Sequence, residues 1–292
     1  MTTARYRTIW LSDIHLGTRD CQAQALLDFL DGCECDYLYL VGDIIDFWRL
    51  KRTPYWPQLH SDVIRKVLSK ARAGTVVTLV PGNHDEYLRR FCDLQLGNIM
   101  VTREAIHRTA DGRLLLVVHG DEFDGITRCH RWLALTGDVG YEVLLVLNRW
   151  FNGARRQLGL PYWSLSAYIK GKVKRAVSFI TAFEMALAYE AARRGLHGVV
   201  CGHIHRAETR EIDGTQYCNT GDWVESCTAL VEHQHGGLEL LAVMPGGYAA
   251  TAHRARVEVV AGLAPPGPLE PVPVAELAGD GSPWLSGVAG PR

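Results

Sequence analysis

Residues 7–15 read Arg7-Thr8-Ile9-Trp10-Leu11-Ser12-Asp13-Ile14-His15. Its first part, Arg7 to Ser12, is β-branched, aromatic and aliphatic, which predicts a buried strand. An acid and a histidine follow at once. The same pattern, an apolar run that breaks into polar residues at its carboxyl end, recurs four times. Tyr-Leu-Tyr-Leu-Val is followed by Gly42-Asp43-Ile44-Ile45-Asp46, and Val-Val-Thr-Leu-Val by Pro81-Gly82-Asn83-His84-Asp85. Leu-Leu-Leu-Val-Val is followed by His119-Gly120-Asp121, and Gly-Val-Val-Cys by Gly202-His203-Ile204-His205.

Working outward, Gln22 to Leu30 and Ser61 to Ala73 carry apolar residues at helical spacing, while Asp36 to Val41, Thr75 to Val80 and Arg113 to Val118 read as strands. Strands alternating with helices predict an α/β sheet. From about Gly125 to Gly195 the pattern is helical throughout. In Tyr168 to Tyr189 the apolar residues Ile169, Val173, Ala176, Ile180, Phe183 and Leu187 share one helix face. Strands return at Gly198 to Val200, Gln216 to Cys218, Thr228 to Glu232 and Leu238 to Val243. The helical block, about 125–195, is therefore an expected insertion in a domain spanning 1–244. Eight of the 12 prolines lie from Pro245 onward, so 245–292 is expected to be a flexible Pro/Gly/Ala-rich tail.

Ligands of open α/β sheets bind at the carboxyl ends of the strands. Five strand ends would deliver five polar clusters to one edge. In Asp13-x-His15 and His203-x-His205 the spacing of two lets both side chains point one way. Imidazole and carboxylate groups suit Mn, Zn or Fe ions. The seven candidates Asp13, His15, Asp43, Asn83, His119, His203 and His205 are too many for one tetrahedral ion and suit two divalent ions sharing a carboxylate. A pair of ions about 3.5–4 Å apart is a device for hydrolysing phosphate esters and anhydrides. Asp46 and Asp121 are candidates for orienting these ligands, with plain turn residues as the alternative. Asn219, Gly221, Asp222 and Trp223 follow a strand and are expected to pack behind the site. His60, His107, His130, His197, His233 and His235 have no motif context and are expected at the surface or in the core.

Five motifs in this order resemble the calcineurin-like metallophosphoesterase superfamily, over residues from about 7 to 244. That resemblance implies a two-sheet αββα sandwich with the helical block as an inserted cap. It implies that Asp13, His15, Asp43 and His205 hold one ion, and that Asp43, Asn83, His119 and His203 hold the other, with Asp43 bridging. It further implies catalytic roles: His84 stabilises the transition state or protonates the leaving group, and Asp85 orients it.

The expected insertion carries eleven basic and four acidic residues, +7 against −8 for the rest of the chain. It is also rich in Trp, Tyr and Leu. A basic, apolar segment beside a phosphatase site suggests a phosphorylated amphiphilic small-molecule substrate and contact with an anionic membrane surface. A helical hairpin with a packed inner face and a solvated basic face is the plainer alternative. Lys170 and Lys174, four apart on one flank of the apolar stripe, are candidate substrate contacts. The overall charge of −1 gives no reason to expect nucleic acid. No long apolar stretch or export signal is evident, so the expected compartment is the cytoplasm, with peripheral attachment to the inner membrane face, and the eight cysteines are expected reduced.

Within the superfamily, Ser12-Asp13-Ile14-His15-Leu16-Gly17, Gly42-Asp43-Ile44-Ile45-Asp46-Phe47-Trp48 and His119-Gly120-Asp121 before a helical cap resemble the UDP-2,3-diacylglucosamine pyrophosphohydrolase group. That implies cleavage of a UDP-linked diacyl sugar into UMP and the lipid sugar phosphate (lipid X) in lipid A assembly, with two Mn²⁺ ions and a cap that holds the acyl chains. The group has Gly-Asn-Arg-Asp where this chain has Gly82-Asn83-His84-Asp85. The histidine matches the wider superfamily and suits ordinary phosphoester chemistry. A broader phosphoesterase acting on another phosphorylated lipid, a nucleotide or a phosphoprotein is the alternative.

Overall fold

Strand β1, Ala4–Leu11, turns alternate side chains to opposite faces, and both faces are covered. Ile9 and Leu11 enter one apolar cluster and Trp10 another, all three fully buried. A strand covered on both sides needs a continuous apolar run, which residues 7–12 supply. The computed structural model describes residues 3–125 and 165–243, with side chains from 179 onward in the second stretch. Residues 126–164, most of the expected insertion, and 244–292, the expected tail, lie outside the described residues.

The elements in order are β1, α1 (Ala23–Asp31), β2 (Cys33–Val41), α2 (Phe47–Arg52), α3 (Gln58–Arg72), β3 (Val76–Val80), β4 (Gln95–Leu96), β5 (Ile99–Val101), β6 (Ala105–Arg108), β7 (Leu114–Val117), α4 (Leu165–Arg193), β8 (Gly198–Cys201), β9 (Glu208–Ile212), β10 (Thr215–Asn219), β11 (Thr228–Glu232) and β12 (Leu238–Ala242). Short 3₁₀ turns occupy Glu86–Phe91 and Asp121–Gly125. The strands form two sheets. The first has seven strands in the order β12-β11-β1-β2-β3-β5-β4, and the second has five, β6-β7-β8-β10-β9. The pairs β1–β2, β2–β3, β7–β8 and β8–β10 are parallel, so their carboxyl ends share one edge in each sheet.

Three apolar layers separate four structural layers. Leu26, Phe29 and Leu30 of α1 and Val63 and Val67 of α3 cover the outer face of the first sheet. Trp10, Tyr39, Val41, Leu115, Val117 and Val200 fill the space between the sheets. Phe183, Leu187 and Ala191 of α4 cover Leu116, Val199 and Cys201 on the outer face of the second. Consecutive residues, such as Leu115 and Leu116, belong to different layers, as the two-residue period of a strand requires. The αββα sandwich is thus the observed fold.

Several elements had no clear sequence signal. Helix α2, strands β4 to β6 and β9 are short or edge elements with few buried apolar residues. The expected helix from Tyr168 lies inside α4. Lys170 and Lys174 fall on that helix, outside the residues whose side chains are described. Among the described residues, no helix is long and apolar enough to cross a membrane.

Candidate metal centre

The loops leaving β1, β2, β3, β7 and β8 meet at one edge of the sandwich. Their backbones are tied to one another: Asp13 N donates to Gly42 O at 3.0 Å, His15 N to Asp43 O at 2.9 Å, and Gly202 N to His119 O at 3.1 Å. Eight non-glycine residues among those described have positive φ, and five of them are Asp13, His15, Asp43, His203 and His205, with φ from 50° to 71°. That region is costly for residues with a Cβ, and such strain gathers where side chains must be aimed. The left-handed turns point both members of each Asp-x-His and His-x-His pair inward.

Two glycines make the crowding possible. Gly42 has φ +76°, and a Cβ there would run into the His119 ring. A Cβ on Gly82 would meet Asp43 Oδ1 and lie 2.6 Å from His119 Nε2.

The donor atoms converge. The groups Asp13–His15–His205 and Asp43–His119–His203 each bring one ligand atom per residue to within 4.8 Å of the others. His15 Nε2 is 3.9 Å from both Asp13 Oδ1 and Asp43 Oδ2, and His205 Nε2 is 3.1 Å from Asp13 Oδ1. His119 Nε2 is 3.5 Å from Asp43 Oδ1. Asp43 stands between the two groups, with one oxygen toward each. Asp13 Oδ1, Asp43 Oδ2, Asn83 Oδ1, His119 Nε2 and His203 Nδ1 are all buried without a hydrogen-bond partner among the described residues. Buried polar atoms are nearly always satisfied. Five orphans at one point, with carboxylate, amide and imidazole chemistry, fit a pair of divalent cations.

The remaining atoms of the same side chains are firmly held. Asp13 Oδ2 accepts from Ser12 Oγ at 2.6 Å and from His203 N at 2.9 Å. His119 Nδ1 donates to Val41 O at 2.9 Å, which aims Nε2 inward. Asp43 Oδ1 accepts from His84 N at 2.8 Å. The electrostatics favour positive charge in the centre. Burial pushes the Asp43 carboxyl up, but the His119 charge outweighs it and brings it down to about 2. Burial likewise raises Asp13, and His205, with His119 and His15, holds it well below the carboxylate range. Burial would depress His119, yet Asp43, with Asp13 and Asp121, raises it to about 10.

The residues around this centre have distinct partners. Asp85 is spent on the backbone: Oδ1 accepts from Gly82 N at 2.6 Å and Oδ2 from Ile44 N at 2.8 Å. The carboxylate beside the His84 ring is Asp46, whose Oδ2 is 3.0 Å from His84 Nδ1 and 3.2 Å from His15 Nδ1. Trp48 packs on His84 with ring centroids 4.4 Å apart. Asp121 accepts both its contacts, at 2.7 Å, from Arg89, which also donates to Pro81 O at 3.2 Å. That pair ties the β3 loop to the β7 loop. Behind the centre, Asn219 donates to Gly202 O at 2.7 Å, and the buried Trp223 donates its amide to Asp13 O at 3.0 Å.

One contact to the centre has almost no sequence signal. Asp124, in the turn Asp121–Gly125, accepts from His203 Nε2 at 2.8 Å. Its only sequence signal is a second acid shortly after His119-Gly-Asp121. Two histidines without motif context are buried: His60 Nδ1 accepts from Gly17 N at 3.0 Å, and His107 lies 2.9 Å from Glu232.

The family model described as calcineurin-like phosphoesterase matches residues 6–207. A protein of Aeromonas salmonicida named UDP-2,3-diacylglucosamine hydrolase is 25% identical over 77% of this chain and 89% of its own length. One of the same name from Nitrosococcus oceani is 26% identical over 76% of this chain and 90% of its own. Among solved structures, wild-type Vps29 of Entamoeba histolytica complexed with zinc aligns with a TM-score of 0.42 at 13% identity, over 83% of this chain and 95% of that one.

Proposed function

We propose, from the premise that this chain belongs to the calcineurin-like phosphoesterase family, that it is a two-ion hydrolase cleaving the pyrophosphate of a UDP-linked diacyl sugar. The observation that carries the hydrolase reading is the set of five orphaned buried donor atoms converging from separate strand ends. The substrate class rests on the relatives named UDP-2,3-diacylglucosamine hydrolase.

Asp13, His15, Asp43 and His205 would hold one cation, and Asp43, Asn83, His119 and His203 the other. The donor set of carboxylate, amide and imidazole favours manganese. The chemistry a bound pair supplies is activation of water and neutralisation of phosphoryl charge. Asp43 divides its oxygens between the two groups and so sets their separation. His84 turns Nε2 inward, 3.9 Å from Asp43 Oδ2, while Nδ1 faces Asp46. From there it donates a proton to the oxygen that leaves with one product. Water adds across the P–O–P bridge, giving UMP and the lipid sugar phosphate. Lys170 and Lys174 on α4 are the candidate contacts for the substrate's phosphates.

An anionic lipid surface is the setting we favour. Trp48, which packs on His84, is exposed, and so are Tyr87, Phe91, Arg49, Lys51, Arg52 and Arg90. Phe47 packs edge-on against Tyr87, which joins α2 to the 3₁₀ turn carrying Arg90 and Phe91. None of these four cations enters an ion pair among the described residues. Aromatic rings interleaved with free cations suit an anionic membrane interface.

A second reading, a phosphoesterase of broader range, is favoured by His84 in the place where the diacylglucosamine group carries arginine. One experiment separates the two. Purified protein with Mn²⁺ is given UDP-2,3-diacylglucosamine and, in parallel, bis(p-nitrophenyl) phosphate, with Asp43→Ala as control. Release of UMP that depends on Asp43 supports the lipid-sugar reading. Cleavage of the aryl diester alone replaces it with the broader one, and full activity in Asp43→Ala rules out both.

A further inference from the structure

His203 is gripped on every side except one. Its amide donates to Asp13 Oδ2 at 2.9 Å. Its ring packs edge-on against His119 with centroids 5.1 Å apart, and at a tilt against Phe183 of α4 at 5.9 Å. Nε2 is bound to Asp124 Oδ1 at 2.8 Å. What remains is Nδ1, buried and without a hydrogen-bond partner among the described residues, within the Asp43–His119–His203 group.

A neutral imidazole carries its proton on one nitrogen and a lone pair on the other, and the hydrogen bond made by one decides the role of the other. A carboxylate can only accept, so it draws the proton to Nε2 and leaves Nδ1 as the lone-pair donor. Its negative charge also makes that lone pair more basic. We infer that Asp124 is a positioning residue that fixes the tautomer and rotation of His203, so that Nδ1 is offered to the cation shared by Asp43, Asn83 and His119.

Two further features support a role aimed at the centre. The Asp124 side chain is 46% exposed, so the fold gains little from burying it. Asp124 follows His119 by five residues on the same loop, yet it reaches a histidine on the loop leaving β8. One loop thus supplies a donor of its own and orients a second from another strand. The inference rests on the two-ion reading of the site.

The test is calorimetric titration of the metal-free full-length protein with Mn²⁺, compared across wild type, Asp124→Ala, Asp124→Asn and the neighbouring exposed control Glu122→Ala, each with a thermal melt of the metal-free form. In Asp124→Ala one of two ions is expected to bind about 10–100-fold more weakly, while the other ion and the melting temperature are unchanged. Asp124→Asn, whose amide oxygen still accepts from Nε2, is expected to lose less, and Glu122→Ala nothing. Two ions bound as in wild type by Asp124→Ala would overturn the inference. So would equal weakening of both ions with a lowered melting temperature, which marks a merely structural role. A wild-type chain that takes up no second ion would overturn the two-ion reading itself, and the inference with it.

Discussion

One carboxylate oxygen of Asp46, Oδ2, stands 3.0 Å from Nδ1 of His84. The same oxygen is 3.2 Å from Nδ1 of His15. A single oxygen therefore orients a candidate ion ligand and the candidate proton donor together. Burial pushes this carboxyl up, but hydrogen bonds from His15, His84 and the Arg49 amide hold it well below its ordinary range. Asp46→Ala is expected to lower kcat about 10–100-fold with little change in KM. Steady-state kinetics on the purified variant check this, and an unchanged kcat would remove Asp46 from the mechanism.

Gly82 is a packing requirement of the centre. Any Cβ there meets Asp43 Oδ1 and the His119 ring. Gly82→Ala is expected to cost about 1–3 kcal/mol of stability through overpacking. It should also impair ion binding, because both displaced groups are candidate ligands. A denaturant melt and a Mn²⁺ titration measure the two effects separately. A variant that binds ions normally would show that the loop relaxes without moving Asp43.

Far from the centre, Glu232 is the hub of a buried polar cluster. It accepts from Arg7 at 2.8 Å, from Thr8 Oγ1 at 2.6 Å and from Ala110 N at 2.7 Å, and lies 2.9 Å from His107. Burial raises its carboxyl, but His107, Thr8 and the Ala110 amide bring it down from 4.5 to about 2. A depressed carboxyl stabilises the fold above its unfolded pKa and loses that contribution as pH falls through its folded pKa. The loss should run between pH 4.5 and about 2, on the order of 3 kcal/mol. Glu232→Gln is expected to be less stable near pH 7 and to show a flatter acid limb in melts across that window. An acid limb identical to wild type would refute the assignment.

The basic, aromatic face on α2 should be measurable with lipid. Binding of the full chain to phosphatidylglycerol vesicles is expected to fall steeply with added salt. Lys51→Gln combined with Arg52→Gln should remove about 2 kcal/mol, or roughly 30-fold, if both residues sit at the surface. Vesicle co-sedimentation reads this directly. Equal binding by the double variant would place membrane contact elsewhere.

Local pattern alone outlines the sandwich's inner strands and the candidate residues at its edge. Ile9, Trp10 and Leu11 are buried in two different layers because a continuous apolar run can be satisfied only by cover on both faces. The polar residues that end such runs must emerge at the strands' carboxyl ends, so Asp13, Asp43, Asn83, His119 and His203 could be gathered into one site from local pattern alone. Short edge elements such as β4 and β9 were not legible, because they bury too little apolar surface to leave a period. The tertiary structure alone decided how the site is aimed. It set the left-handed backbone of five candidate ligands, and assigned Asp85 to backbone amides and Asp46 to His84. It also brought Asp124 to His203 from 79 residues away. Such pairings depend on which strands lie side by side, β2 beside β3 in the first sheet and β7 beside β8 in the second. That is settled by strand pairing over long sequence separations, and nothing in either residue's own neighbourhood encodes it.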